Sequence, residues 1–234
     1  MAVRLVAVRY DADDPVVVAT YWAELLDREL VAQADGALVP GDGTQVGLRF
    51  VAATPDRAGP DWLHLHLTSE SAVGQAEVVD RALALGGRPV DVGQRPDEGH
   101  VVLADPGGNL FCVIEPGNRF LAGCGFLGEV TCEGSRQVGP FWSEALGWPL
   151  VWDEGEQTAI QSPHGGTKLS WDAPPPDHTH ATNRQRFELA APDVEGEVER
   201  LVALGASALG ARAEVAELAD PDGNAFSIES QGLT

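Results

Sequence analysis

The segment YWAELLDREL, Tyr21–Leu30, recurs in the second half of the chain as FWSEALGWPL, Phe141–Leu150. Two further segments recur in the same order: RALALGG as RLVALGA (Arg81–Gly87 and Arg200–Ala206), and LADPGGN as LADPDGN (Leu103–Asn109 and Leu218–Asn224). Three segments repeated in one order, at nearly constant spacing, indicate two copies of one domain. We assign residues 1–116 to the first copy, 117–123 to a linker and 124–234 to the second copy, because Gly and Pro interrupt the pattern near the linker.

Each copy has the same predicted order of elements, in which a strand, a helix and three strands occur twice over. In the first copy Asp14 is suited to cap a helix and Pro15 to be its first residue, because the missing proline N–H needs no partner there. A later helix is predicted to end at Gly86 and Gly87, since glycine accepts the left-handed backbone past a helix end. Four units of this kind predict an α+β fold with antiparallel hairpins.

The charge of the chain limits its possible partners. The 234 residues carry a formal net charge of −21 at pH 7, which repels phosphate backbones and anionic lipid, so we expect neither nucleic-acid nor membrane partners. The N-terminal apolar stretch is broken by Arg4 and Arg9 and therefore does not look like a signal peptide. We expect a cytoplasmic protein whose three cysteines stay reduced, because their number is odd and no C-x-x-C pair occurs.

The order of elements, the Tyr21-Trp22 and Phe141-Trp142 pairs and the repeated Asp-Pro-x-Gly-Asn turns resemble the vicinal-oxygen-chelate (VOC) superfamily of glyoxalases, bleomycin-resistance proteins and dioxygenases. The resemblance covers nearly the whole chain and is closest to the glyoxalase-like domains, through the Trp-Leu-His-Leu segment Trp62–Leu65. It implies two tandem VOC domains, each made of two βαβββ modules that form a curved, cup-shaped, mixed or antiparallel sheet. The cup is expected to hold a small molecule.

Many VOC proteins also bind a divalent metal, through His or Glu side chains on the first, fourth, fifth and eighth strands of the cup. Carried over copy by copy, these positions hold Ala7, Leu48 (or, with a one-residue slip, Gly47 or Arg49), His64 and Cys112 in the first copy. In the second copy they hold Leu127, Leu169 or Ser170, Arg186 and Ser227. A divalent ion needs at least three good donors, so we expect no metal and no other cofactor at this site. The alternative is a divalent metal at a rearranged site that uses His64, His66 or Cys112 with a carboxylate such as Glu115.

Several residues are candidates for contact with the bound molecule. His64 and His66 alternate with leucines, so both project from one face of a strand, and His64 is a candidate general base near neutral pH. Cys112 is expected on a neighbouring strand, either as a ligand contact or as a buried structural cysteine.

Charged and aromatic residues extend this set. Arg9 and Arg186 lie on strands of the predicted cups, where arginine suits a carboxylate or phosphate ligand or pairs with an acidic neighbour. Trp62 and Trp171 lie on or beside strands that are expected to border the cups, and aromatic walls suit flat, partly apolar ligands.

The sequence therefore supports two hypotheses of different kinds. The first is a protein that binds a small, partly aromatic or apolar metabolite or antibiotic without the metal of the family. The second is a lyase, isomerase or dioxygenase with a rearranged metal or acid–base site around His64. Because both domains lie in one chain, we expect a monomer or a homodimer.

Overall fold

The computed structural model describes residues 3–54, 61–95, 97–173, 183–212 and 215–230. Its elements form four βαβββ modules. Module 1 contains β1 (Arg4–Ala12), α1 (Pro15–Leu26), β2 (Val31–Gln33), β3 (Gly36–Val39) and β4 (Gly47–Ala52). Module 2 contains β5 (Leu63–Leu67), α2 (Ala72–Ala84), β6 (Arg88–Pro89), β7 (Val101–Ala104) and β8 (Leu110–Val113). Module 3 contains β9 (Leu127–Glu133), α3 (Val138–Leu146), β10 (Leu150–Glu154), β11 (Gln157–Gln161) and β12 (Lys168–Ala173). Module 4 contains β13 (Gln185–Ala191), α4 (Val194–Leu204), β14 (Ser207–Arg212), β15 (Val215–Ala219) and β16 (Ala225–Ser230). The predicted α+β class and the repeated module are confirmed.

Helix α1 begins and ends for local reasons that the sequence contains. The Asp14 carboxylate accepts a hydrogen bond from the backbone N–H of Val17 at 3.1 Å, and Pro15 is the first helical residue. The helix ends at Asp27, which has the left-handed φ of 55°. The corresponding helix α3 has no side-chain cap and ends at Gly147, with a φ of 67°.

The modules pair across the two sequence copies. Sheet A has the strand order β14-β15-β16-β13-β1-β4-β3-β2, so it joins module 1 to module 4. Sheet B has the order β10-β11-β12-β9-β5-β8-β7-β6 and joins module 2 to module 3. The joining pairs, β1 with β13 and β5 with β9, are antiparallel. Each open, eight-stranded sheet therefore contains one module from each copy of the repeat.

One face of each sheet packs into a shared hydrophobic core with the helices. Trp22, Trp62, Trp142 and Trp171 are the largest fully buried side chains in it. Trp62 does not border a cup, contrary to the sequence-based expectation, because its indole Nε1 donates to the backbone oxygen of Gln185 at 2.8 Å inside this core. The Gln185 Oε1 in turn accepts from the backbone N–H of Trp62 at 3.0 Å, which joins β13 of sheet A to the start of β5 in sheet B.

A backbone contact between two loops also joins the sheets. The loop before β12 crosses the loop before β4, and the Thr167 N–H donates to the Thr44 oxygen at 2.7 Å. Gly166 has a φ of 92°, and a Cβ built there would lie 1.6 Å from the Thr44 oxygen. Its neighbour Gly165 has a φ of 80° and nothing within 4 Å of the equivalent position.

We expect Gly166→Ala to lower the free energy of unfolding by about 3 kcal/mol, because a left-handed backbone and a clash with backbone act together. Gly165→Ala is the matched control and should lose only about 1 kcal/mol, the cost of the left-handed conformation alone. Urea unfolding followed by tryptophan fluorescence measures both. Equal losses of unfolding free energy for the two variants would show that the loops separate easily.

Among the helices of the described residues, none has the length and apolar character needed to span a membrane.

Candidate functional site

In sheet B, the chemically distinctive side chains lie on the face opposite the one that packs on the core. We call this face, in either sheet, the inner face. Alternation along β5 sends Leu63, Leu65 and Leu67 into the core and both histidines to the inner face. On the two neighbouring strands, Glu129 of β9 and Cys112 of β8 stand in register with His66. The structure thus brings together three predicted site residues, His64, His66 and Cys112, and adds Glu129 from the second copy.

These groups form a continuous hydrogen-bonded chain. The Nδ1 of His66 lies 2.6 Å from the Oε2 of Glu129, and its Nε2 lies 3.0 Å from the Nε2 of His64. The other Glu129 oxygen accepts a short hydrogen bond from the Ser170 hydroxyl of β12. The Glu129 side chain is almost completely buried. Partners on two strands, β5 and β12, hold its carboxylate in one position.

The two histidines have opposite electrostatic environments. Burial, together with the charge of the neighbouring His66, lowers the pKa of His64 to about 4. Burial also disfavours the charged form of His66, but hydrogen bonds to Cys112 and Glu129 and the charge of Glu129 outweigh it and raise its pKa to about 10. Burial similarly opposes ionisation of Glu129, yet the hydrogen bond from His66 keeps the pKa of this carboxyl below its usual value. A neutral imidazole therefore lies next to a buried, paired imidazolium.

The segment that connects the two copies covers part of this face. Leu121 and Cys124 pack with Cys112, Val102 and Ile114 in a small apolar cluster. The predicted linker 117–123 is therefore packed against sheet B. Its position is fixed by Lys168 of β12, whose ammonium donates to the Phe120 backbone oxygen and lies 4.4 Å from the centre of the Phe120 ring.

A cavity of about 260 Å³ lies between this segment and the sheet. Its polar wall includes His66, Glu129 and Ser170, and Phe120 and Trp152 contribute aromatic rings whose centroids are 5.5 Å apart in an edge-to-face pair. The buried Nε1 of Trp152 has no hydrogen-bond partner among the described residues. The cavity thus combines a fixed polar side, an aromatic side and an unused donor, the combination that small-molecule sites usually have.

The inner face of sheet A is different, because charged side chains fill it. Arg186 pairs with Asp11 at 3.3 Å, and Arg9 pairs with Asp11 at 3.0 Å and with Glu188 at 3.4 Å. Arg49 makes a second contact with Glu188, at 3.1 Å. The structure therefore places Arg9 and Arg186 in an ion-pair network on the other sheet from the histidines. Of the two roles that the sequence leaves open for these arginines, pairing with acidic neighbours is the one observed.

The remaining predicted site residues are only partly placed as expected. Trp171 touches the cavity wall, but its side chain is completely buried and belongs to the core. Glu115 accepts from Asn118 and lines an outer groove, so the carboxylate beside the histidines is Glu129. Trp152 takes the aromatic position that had been expected of Trp62 and Trp171. The sequence signal that could place Trp152 and Ser170 on the inner face is the alternation of side chains along β10 and β12. This signal becomes usable only when β5 and β9 are known to be neighbours.

The metal ligand set of the VOC superfamily does not fit sheet B. Its four equivalent strands present the histidines, Cys112, Glu129 and Ser170, and both Glu129 oxygens are already engaged by His66 and Ser170. Among the described residues, a different group could hold a metal: single donor atoms of His64, His66 and Cys112 all lie within 4.8 Å of one another. This group uses two strands, whereas the family's set uses four.

Comparison with known proteins agrees with this architecture. The model of the family described as "Glyoxalase-like domain" matches residues 7–114 and again residues 129–229. The solved structure of glyoxalase I from Zea mays is similar, with a TM-score of 0.67 at 14% identity over 98% of this chain and 92% of that one. A putative dioxygenase from Bacillus subtilis subsp. subtilis str. 168 gives a TM-score of 0.61 at 13% identity, over 97% of this chain and 84% of the other. No curated protein has a similar sequence. At these identities the structural likeness supports the fold.

Proposed function

Because the chain belongs to the glyoxalase-like domain family, whose model matches both of its halves, we propose that it binds a small, partly aromatic metabolite or antibiotic on the inner face of sheet B. The observation that carries this proposal is the cavity of about 260 Å³ between Phe120, Trp152 and the His66–Glu129 pair. On sheet A the corresponding face is occupied by ion pairs, which is why we propose one binding site and not two.

The lining of the cavity limits the shape and polarity of the ligand. The edge-to-face rings of Phe120 and Trp152 favour a flat ring system, since aromatic contacts of this geometry add to the stabilisation from burial alone. The free Trp152 N–H favours a hydrogen-bond acceptor on that ring, because an unpaired buried donor gains a partner when the ligand binds. We therefore propose a planar molecule with a hydrogen-bond acceptor at its edge.

We expect Trp152→Ala to weaken the binding of planar aromatic probes by at least about tenfold, the loss that follows from removing one well-packed aromatic contact. Indole, quinoline and coumarin are suitable probes, and saturation-transfer NMR with titration measures their binding. Val151→Ala is the matched control, because Val151 is the preceding residue of β10 and its side chain is 41% exposed. If none of the three probes binds, or if both variants behave alike, the proposed site is wrong.

An enzyme of the lyase, isomerase or dioxygenase kind is the second candidate function. The observation in its favour is the hydrogen-bonded chain of His64, His66 and Glu129, of which His66 and Glu129 line the cavity. This hypothesis expects a bound molecule to be converted to a product by the wild-type protein and not by His64→Ala, with the thermal midpoint of unfolding nearly unchanged. Full turnover in His64→Ala would rule this hypothesis out.

A further inference from the structure

We propose that His64, His66 and Cys112 form a three-ligand site for Zn²⁺ beside the cavity, with Glu129 as the group that orients His66. The inference depends on the proposed function only for its location, since His66 also borders the cavity. It concerns a set of donors different from the four-strand His and Glu set of the superfamily.

The register of two strands, β5 and β8, brings the donors together. His64 and His66 project from the same face of β5, and Cys112 stands beside His66 on the parallel neighbour β8. The Nε2 atoms of the two histidines are 3.0 Å apart, and all three donor atoms lie within 4.8 Å of one another. In a tetrahedral zinc site, bond lengths of about 2.0–2.1 Å to nitrogen and about 2.3 Å to sulfur place such atoms about 3.3–3.6 Å apart. Small side-chain rotations are enough to reach that geometry.

The surroundings supply the hydrogen-bond partner that usually orients a metal-binding histidine. The Nδ1 of His66 is hydrogen-bonded to Glu129 at 2.6 Å, which leaves Nε2 as the nitrogen that faces His64. Zinc bound there displaces the Nε2 proton of the imidazolium, because a metal ligand must be deprotonated. Ser170 holds the other oxygen of Glu129 from β12. A carboxylate that accepts the second N–H of a histidine fixes the orientation of the ring and makes it a better ligand. Glu129 thus takes a supporting position, although its strand contributes a direct ligand in the family's set.

The donors also select the kind of metal. Two imidazoles and a thiolate suit Zn²⁺, whereas Mg²⁺, Ca²⁺ and Mn²⁺ prefer carboxylate, carbonyl and water oxygens. Three protein ligands leave one tetrahedral position, and three-ligand zinc sites use that position for water or substrate. We therefore expect one Zn²⁺ per chain with one coordination position not filled by these three side chains.

Cobalt substitution provides the decisive test, because Co²⁺ occupies zinc sites and reports its ligands in its absorption spectrum. The full chain is stripped with a chelator and then titrated separately with Zn²⁺ and Co²⁺. We expect one Zn²⁺ per chain by elemental analysis. The Co²⁺ protein should show the intense visible bands of tetrahedral coordination and a near-ultraviolet sulfur-to-metal charge-transfer band.

Matched variants then identify the ligands. Cys112→Ala should abolish the sulfur-to-metal band, whereas Cys132→Ala should keep it, since Cys132 lies in the core on the opposite face of sheet B. His64→Ala should lose stoichiometric binding, and Glu129→Gln should weaken zinc binding by about 10- to 100-fold, the usual effect of removing a supporting carboxylate. Circular dichroism confirms that each variant is folded.

Two results would overturn the proposal, and both are read from the wild-type protein, so a misfolded variant does not affect them. One is the lack of stoichiometric Zn²⁺ binding, and the other is a Co²⁺ spectrum without a thiolate band. The planar-probe titration separates this failure from that of the proposed function. Probes that bind the stripped protein with a Trp152-dependent affinity support the cavity even if zinc does not bind. Zinc binding without any probe binding supports the metal site alone.

Discussion

Replacing Asp105 with alanine is expected to lower the free energy of unfolding by about 4 kcal/mol, because it leaves four buried or partly buried donors without their acceptor. The Oδ2 of Asp105 accepts from the Trp22 Nε1 and from the Asn109 side chain, each at 2.8 Å. Its Oδ1 accepts from the backbone N–H groups of Gly107 and Asn109 at 2.9 and 3.0 Å. This carboxylate therefore joins helix α1 of module 1 to the β7–β8 turn of module 2.

Urea unfolding at neutral pH measures the effect, and the chain contains two useful comparisons. Asp97→Ala changes a side chain that is 76% exposed and should alter stability by no more than about 0.5 kcal/mol. Asp220→Ala removes the corresponding residue of the second copy, where the bond from Trp142 is longer, at 3.3 Å, so its loss should be smaller. A loss below about 1 kcal/mol for Asp105→Ala would show that water or nearby groups replace the carboxylate.

The fold could be predicted from the sequence because its signals are local and occur twice. The cap at Asp14, the helix end at Gly86 and the Asp-Pro-x-Gly-Asn turns each depend on residues a few positions apart. The predicted helix start at Asp14 and Pro15 coincides with the start of α1, and the predicted helix end at Gly86 lies two residues beyond the last residue of α2. Turn chemistry and helix caps act through nearest neighbours, so one chain contains enough information to locate them.

The candidate site could be predicted only in part, because it depends on which modules share a sheet. The copy-by-copy assignment of ligand positions places His64 and Cys112 in one site with Ala7 and Leu48. In the structure, Ala7 and Leu48 lie on sheet A. The structure instead places β9 beside β5, so the partner of His66 is Glu129 from the second copy. The same comparison put Leu127 at the first-strand position, but Leu127 faces the core and Glu129 faces the site. Strand pairing across more than 60 residues leaves no local signal in the sequence.

The same cross-copy pairing explains why the two inner faces differ. Sheet B places histidines against one carboxylate and leaves a cavity, whereas sheet A places three arginines against several carboxylates. Ion pairs occupy the inner face of sheet A, so we expect that face to hold modules 1 and 4 together, and we propose binding only for the inner face of sheet B. Substitution of a central network residue should therefore affect folding and leave binding intact.

Arg186→Met is expected to lower the free energy of unfolding by about 4 kcal/mol, because it removes a cation from a nearly buried network and leaves Asp11 less compensated. The side chains of Arg186 and Asp11 are 4% and 1% exposed, so water cannot replace the missing charge. Replacing Asp11 as well should restore much of the loss, since an apolar pair of similar volume often substitutes for a buried ion pair. Urea unfolding of Arg186→Met, Asp11→Leu and the double variant measures this as a double-mutant cycle.

The planar-probe and Zn²⁺ titrations of the folded double variant should match those of the wild type, because the network and the histidines lie on different sheets. A double variant that is stable but has lost probe binding would instead make Arg186 a ligand contact, as one of the two sequence-based interpretations holds.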